Sequence, residues 1–323
     1  MTPEFRVLAD GLDVTLALLD RLVSLTITDD EGVEADRLDM VVDDRDGVLA
    51  LPPHGAALEV YLGFRERGLS YMGRYVVDKT EGSGPPALLQ IGAKAANMGS
   101  QIRAPRTRGW TDITLGDIAS RVAQEAGLRP VIGASIADTR YPFVAQTAES
   151  DLHLLTRLAR VLDATAKPAA GTLLVVKRGE GLTAAGQQII PQPILASELT
   201  GWQWDIRDRV RYGAVAAQWT DVDGASLVTE TAGDAEPKLT IRHVYSSQDE
   251  ARRAAGAALQ GAQRGEGTLS LSLGRFAPDV FAGGLIDASD LREELRGEWH
   301  VTRVEHVLDA GLLTNLEAQR KQA

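Results

Sequence analysis

What restricts this chain most is a recurring two-residue alternation of apolar and polar side chains, cut by Gly- or Pro-bearing turns roughly every 8–12 residues. Leu22, Ser24, Thr26 and Thr28 alternate with Val23, Leu25, Ile27 and Asp29. Leu38, Met40 and Val42 alternate with Asp39, Val41 and Asp43, and Leu58, Val60 and Leu62 follow the turn Pro52-Pro53-His54-Gly55. Strand side chains point to opposite faces in turn, so this period buries one face of a sheet and wets the other. Similar runs occupy 71–78 and, beyond Gly82-Ser83-Gly84-Pro85-Pro86, 88–93. About six short antiparallel strands predict a barrel-like domain over residues 1–104, since closure removes exposed strand edges. The 32 glycines suit such a turn-rich protein.

The pattern then changes. Thr114 and Asp117 are spaced as a helix cap, ahead of Ile118, Ala119, Val122, Ala123 and Ala126 at helical spacing, with Gly127 as the stop. A second helix starts at Ser150, with Leu152, Leu155, Leu158, Ala159 and Leu162 on one face and its end expected at Lys167-Pro168, and Gly171 leads into an apolar strand at 172–176. Residues 105–195, including a link over 187–193, are expected to form a small inserted α+β unit. Strand signals return over 196–323: Trp202, Trp204 and Ile206 share a face, and runs follow at 210–219, 239–244, 269–273, 299–307 and 312–318. One Ala-rich helix, capped by Ser247 and Glu250, interrupts them, and its small side chains suit lying flat on a sheet. The expected fold class is α+β, mainly β, with two antiparallel barrel-like domains flanking the insert. An internal echo fits this. Pro52…Gly55…58–60 matches Pro278…Gly283…285–286, 75–78 matches 299–302, and 88–91 matches 312–316.

No constellation for catalysis emerges. Cysteine is absent, which excludes disulfides, thiolate metal sites and a thiol nucleophile. Gly179-Glu180-Gly181 and Gly265-Glu266-Gly267 lack the third glycine and helix of a dinucleotide site and read as turns. His300, His306 and Glu298 share one strand face, but six residues of strand put the two histidines roughly 20 Å apart, too far for one ion, and predict exposed or half-buried positions. Asp43-Asp44-Arg45-Asp46-Gly47 lacks calcium-loop spacing and reads as a turn. Trp202 and Trp204 suit a core or a subunit interface better than a sugar platform. The expected sets of catalytic, metal-binding and cofactor-binding residues are therefore empty. With 34 Lys+Arg against 45 Asp+Glu, a formal charge of −11, the chain carries the wrong field for a general nucleic-acid binder. Glu4 and Asp10 break up any signal peptide, and no early apolar run approaches a membrane span, so folding in a cytoplasm without a membrane anchor is expected.

The order of the pieces carries a resemblance. Val23-Ser24-Leu25-Thr26-Ile27-Thr28-Asp29, Gly32, and Ala35-Asp36-Arg37-Leu38 precede Pro52…Gly55…Leu58-Glu59-Val60. Gly73-Arg74-Tyr75-Val76-Val77-Asp78, Pro85-Pro86 and Ile91-Gly92-Ala93-Lys94-Ala95-Ala96 follow. Tyr141-Pro142-Phe143-Val144-Ala145-Gln146 then precedes Ser150-Asp151-Leu152-His153-Leu154-Leu155-Thr156-Arg157-Leu158-Ala159. In this order the chain resembles the late control gene D family, the baseplate hub proteins of contractile-tailed phages, related to the hub portion of type VI secretion spike proteins. The likeness is strongest over 20–180. It implies a non-enzymatic virion component: a homotrimer, assembled in the host cytoplasm, joining a six-fold tail tube to a three-fold spike. Implied partners are the spike protein, the tube protein or its initiator, the tape-measure protein and other baseplate proteins. Family members with wall-degrading activity carry it in an added domain, and no such segment is expected here. The alternative is a peptidoglycan hydrolase or carbohydrate-binding enzyme on a β scaffold. The acidic run Asp29, Asp30, Glu31, Glu34, Asp36, Asp39, Asp43, Asp44 and Asp46 is expected to face a channel, where like charge limits adhesion of passing DNA.

Overall fold

The computed structural model describes residues 1–31, 36–96, 100–169, 171–178, 187–206, 212–222, 224–264 and 267–320. Thirteen strands join in one sheet. Its spine runs in the order Leu199–Ile206, Gly267–Leu273, Leu312–Arg320, Glu298–Leu308, Leu22–Asp30, Arg37–Asp43, Leu88–Ala95, Gly68–Ser83, Ala57–Phe64, Pro3–Ala9 and Leu12–Asp13. The alternating runs of the first hundred residues all lie in strands. Pro3–Ala9, which no alternation announces, pairs along Ala57–Phe64 from Pro3↔Phe64 to Ala9↔Leu58.

Among the described residues these strands do not pair into two closed barrels. The edge of Leu22–Asp30 needed to close the first barrel is occupied by the far end of the chain, which pairs from Arg303↔Asp30 to Leu308↔Leu25. That pairing fuses both β regions into one continuous ladder with two open ends. Each region still curls around its own core. One is built from Val7, Leu25, Ile27, Leu38, Met40, Val60 and Leu62, the other from Leu269, Leu271, Leu273, Trp299, Val301 and Leu316. Trp299, fully buried, donates its Nε1–H to the Leu295 carbonyl at 2.7 Å, so the large ring enters the core without an orphaned polar group.

The insert has a core of Ile118, Val122, Leu154, Leu155 and Leu173 beneath helices Leu115–Glu125 and Asp151–Val161. Both helices start at the capping residues legible in the sequence: Thr114 Oγ1 accepts from the Asp117 N–H at 3.1 Å, and Ser150 Oγ from the His153 N–H at 3.2 Å. Strand signals at 214–245 do not join the main sheet. Ala214–Asp221, Ser226–Gly233 and Lys238–Tyr245 form a separate three-stranded sheet. Helix Gln248–Arg264 lies on it through Ala251, Ala254 and Ala255, against Val215 and Ala217, and Val161 of the insert packs at its margin. The chain thus makes two excursions from the sheet, and these pack on each other.

Candidate assembly surfaces

The two halves of the sheet are copies of one five-stranded unit. In the first, the strands run in space as Leu22–Asp30, Arg37–Asp43, Leu88–Ala95, Gly68–Ser83 and Ala57–Phe64. In the second, Leu199–Ile206, Gly267–Leu273, Leu312–Arg320, Glu298–Leu308 and Leu285–Asp287 take the same places. Irregularities repeat as well. The first ladder slips between Leu22 and Ser24, the second between Leu199 and Gly201. A bulge falls between Val77 and Lys79, and again between Val301 and Arg303. Gly55 (φ 92°) donates to the Val77 carbonyl at 2.8 Å, and Gly283 (φ 90°) to the Val301 carbonyl at 2.8 Å. Val77 in turn donates to Ala56 O, and Val301 to Gly284 O, each at 2.9 Å. The internal echo in the sequence is the trace of this repeat: 75–78 fall on 299–302 and Ile91 on Leu316, whereas 57–58, not 58–60, fall on 285–286.

Inside the chain the two units meet edge to edge, residues 303–308 of the second on Leu22–Asp30 of the first. The corresponding outer edges carry no strand among the described residues. Leu199–Ile206 pairs only with Gly267–Leu273, and residues 79–83 pair only with the 88–92 stretch. On the free edge Trp202 is 55% exposed, whereas Leu25, its counterpart by register, is fully buried. One face of the ladder holds both cores, and the other is polar across both units. Gln203, Ser270, Glu317, Arg303 and Asp30 stand in one row, and Thr26, Asp39, Gly92 and Lys79 in another. A shallow depression of about 410 Å³ lies on this polar face between Gln203, Ser270, Arg303 and Glu317.

Charges gather where the first unit, the second unit and the insert meet. Lys167 Nζ lies 2.7 Å from Asp29 Oδ1 and 3.0 Å from Asp36 Oδ1, and donates to the Asp30 carbonyl at 2.7 Å. Burial alone would lower the Lys167 ammonium, but Asp29 and Asp36 outweigh it and hold it above its ordinary value. Asp36 is pushed up to about 6, by burial first and then by the Asp29 charge. Asp29 also accepts from the Ala282 N–H at 2.8 Å, so one carboxylate ties all three parts. Glu31 reaches His300 Nε2 at 3.0 Å.

The acidic run is therefore not one field of solvated carboxylates. Asp29, Asp30 and Glu31 face Lys167, Arg303 and His300, and Asp46 takes a two-pronged grip from Arg21. Residues 43–47 form the expected turn, in which Arg45 N–H donates to Asp43 Oδ1 and Gly47 adopts φ 64°. Glu34 lies outside the described residues. His300 and His306 are both buried, contrary to the exposed or half-buried positions expected. His306 Nδ1 lies 3.0 Å from Thr314 Oγ1, and burial lowers its pKa to about 4, leaving it neutral near pH 7. Among the described residues no group of three or more His, Cys, Asp or Glu is placed to hold a metal ion, and no helix is long and apolar enough to cross a membrane.

Known proteins match along the same lines. The chain is 30% identical to the probable baseplate hub proteins of Escherichia phage P2, over 99% of this chain and 93% of that one, and of Escherichia phage 186, over 99% and 94%. The fold is similar to the 43 kDa tail protein of prophage MuSo2 from Shewanella oneidensis, with a TM-score of 0.71 at 15% identity over 99% of this chain and 98% of that chain. The E. coli c3393 protein, a component of the type VI secretion system, superimposes with a TM-score of 0.57 at 11% identity, over 98% of this chain and 77% of that one. The model of the phage tail baseplate hub family matches residues 91–312, a stretch that takes in both excursions and most of the second unit. On this match and these two relatives, the chain belongs to the phage tail baseplate hub (GPD) family.

Proposed function

We propose that this structural baseplate hub works as a trimeric symmetry adapter in a contractile tail, with the tail tube on one side of the ring and the central spike on the other. The observation that carries this reading is the duplicated unit. Three chains of two like units present six like surfaces to a six-fold tube, while the chain repeat itself stays three-fold for the spike. The polar face of the sheet lines the channel and the two cores lie outside it, because that face mixes charges of both signs with small polar groups across both units. The lining is thus a mixed polar wall to which Asp39 contributes, rather than a purely acidic one. Spike, tube or tube initiator, tape-measure and neighbouring baseplate proteins are its partners in the virion. The role is mechanical and not enzymatic, so a zymogram on purified cell walls stays blank.

Light scattering on the purified protein, alone and with the spike protein, tests the reading. A mass of three times 34.6 kDa supports it. A stable two-fold dimer in both conditions overturns it, because no two-fold ring serves a six-fold tube and a three-fold spike.

A further inference from the structure

The geometry points to a specific docking contact between copies of this chain: the free edge of Leu199–Ile206 accepts residues 79–83 of a second copy, antiparallel, with Ser83 opposite Gln203 and Thr80 opposite Ile206. This goes beyond the hub reading and rests on the repeat within the chain, independent of any partner. The junction between the two units supplies the template. There Val307 faces Thr26 and Val304 faces Asp29. Ladder positions equate 303–307 with 79–83, because both stretches begin just past the shared bulge. They equate Leu25 and Ile27 with Trp202 and Trp204, which face Met40 and Leu38 in one unit and Leu271 and Leu269 in the other. Carrying the internal junction to the outer edges gives the stated register without adjustment.

Burial supplies a second argument. In the first unit, Leu25 is fully covered, and Leu308 and Leu312 of the second unit belong to the same core. The core of the second unit receives no such contribution, and Trp202 stands 55% exposed where Leu25 is closed over. By the same equivalence the cover for Trp202 is the turn after Ser83. Its residues Gly84, Pro85, Pro86 and Ala87 are exposed, and the Ala87 carbonyl accepts from the Asp44 N–H at 3.1 Å, which ties the turn to the first unit. A Pro-bearing turn laid on an indole buries apolar area at low entropic cost, and the ladder satisfies two rows of free N–H and C=O groups. The register also sets Glu81 opposite Asp205. Lys79, 2.9 Å from Glu81, moderates that like-charge pair. The contact is heterologous, so repeating it closes a ring when the rotation allows.

The absence of cysteine makes a direct test available. Ser83→Cys and Gln203→Cys are made as separate proteins, mixed at high concentration and oxidised. Linked dimer is expected in the mixture and in neither protein alone. A linkage within one chain is impossible, because each protein carries a single cysteine. Lys79→Cys mixed with Gln203→Cys, four residues out of register, links far less. Trp202→Glu, an exposed position whose folding is checked by circular dichroism, lowers the scattering mass to that of the monomer. Linkage of Ser83→Cys to itself, which marks a two-fold contact, overturns the proposal, as does a mixture without linked dimer or an assembly unaffected by Trp202→Glu. A linked dimer that fails to recruit spike or tube would leave this contact standing and count against the adapter role alone.

Discussion

Replacing Lys167 by methionine keeps most of the side chain's volume and removes the one ammonium set between Asp29 and Asp36. The lysine side chain is 11% exposed, so the two carboxylates would lose their counter-charge in a largely dry place. Removing one partner of a buried ion pair costs about 3–5 kcal/mol, most of it the penalty of the charge left behind. With a urea slope of about 3 kcal/mol/M, the unfolding midpoint falls by roughly 1–1.7 M at pH 7.5. Asp36 gives the effect a pH signature. Its folded pKa of about 6 lies above the unfolded value near 3.9, so the folded state holds the extra proton between them. The stability this group contributes is full below about pH 4 and is lost as pH rises through 6. In Lys167→Met the same carboxyl takes up its proton more readily, so the deficit at pH 7.5 shrinks at pH 5. Adding Asp36→Asn to Lys167→Met recovers more than half of the loss at pH 7.5, because one charge of the facing pair is gone. Tryptophan fluorescence during urea unfolding reads all three variants. An unchanged midpoint for Lys167→Met, or equal losses at pH 5 and 7.5 with no rescue, would refute the assignment of Lys167 as the charged clamp of this junction.

Gly55→Ala and Gly283→Ala each force a Cβ into a backbone at φ near +90° and should cost about 1 kcal/mol apiece, alike within error if the two turns are true equivalents; urea midpoints check this. His306 titrates in the opposite sense to Asp36. Its folded pKa of about 4 lies below the unfolded 6.5, so its contribution is present above pH 6.5 and is lost as pH falls toward 4. His306→Gln, which keeps a polar partner for Thr314, should flatten the decline in stability over that window, as followed by urea midpoints at pH 4.5, 5.5 and 7.

Much of the scaffold is legible in the sequence because its physics is local. Strict alternation at 22–28 and 38–42 marks strands whose one face is core, and Thr114 and Ser150 announce their helices through the N–H groups they satisfy. The echo between 52–92 and 278–316 survives because the turn at Gly55 and Gly283 and the bulge that follows demand particular residues. What stays hidden depends on pairing over long separations. Nothing near residue 25 signals that its neighbour is Leu308, so a closed barrel is the natural expectation and an open, fused ladder the outcome. Pro3–Ala9 shows no clear period. The runs at 214–219 and 239–244 read as strands but cannot declare which sheet they enter. Lys167 looks like a surface lysine beside a proline, since its two carboxylate partners lie about 130–140 positions away in sequence.

The seam between residues 303–308 and Leu22–Asp30 also orders events in time. Loop closure across nearly the whole chain makes this pairing among the slowest in the molecule, and it must wait until the last strands have left the ribosome. Until then the first unit has an open flank at Leu25 and lacks the leucines at 308 and 312 that complete its core. A chain cut short upstream of residue 303 can fold its insert, yet it has no seam and no second unit to offer a neighbour. Completeness of synthesis is in this way written into the geometry of assembly: only a finished polypeptide carries both a closed seam and two free flanks.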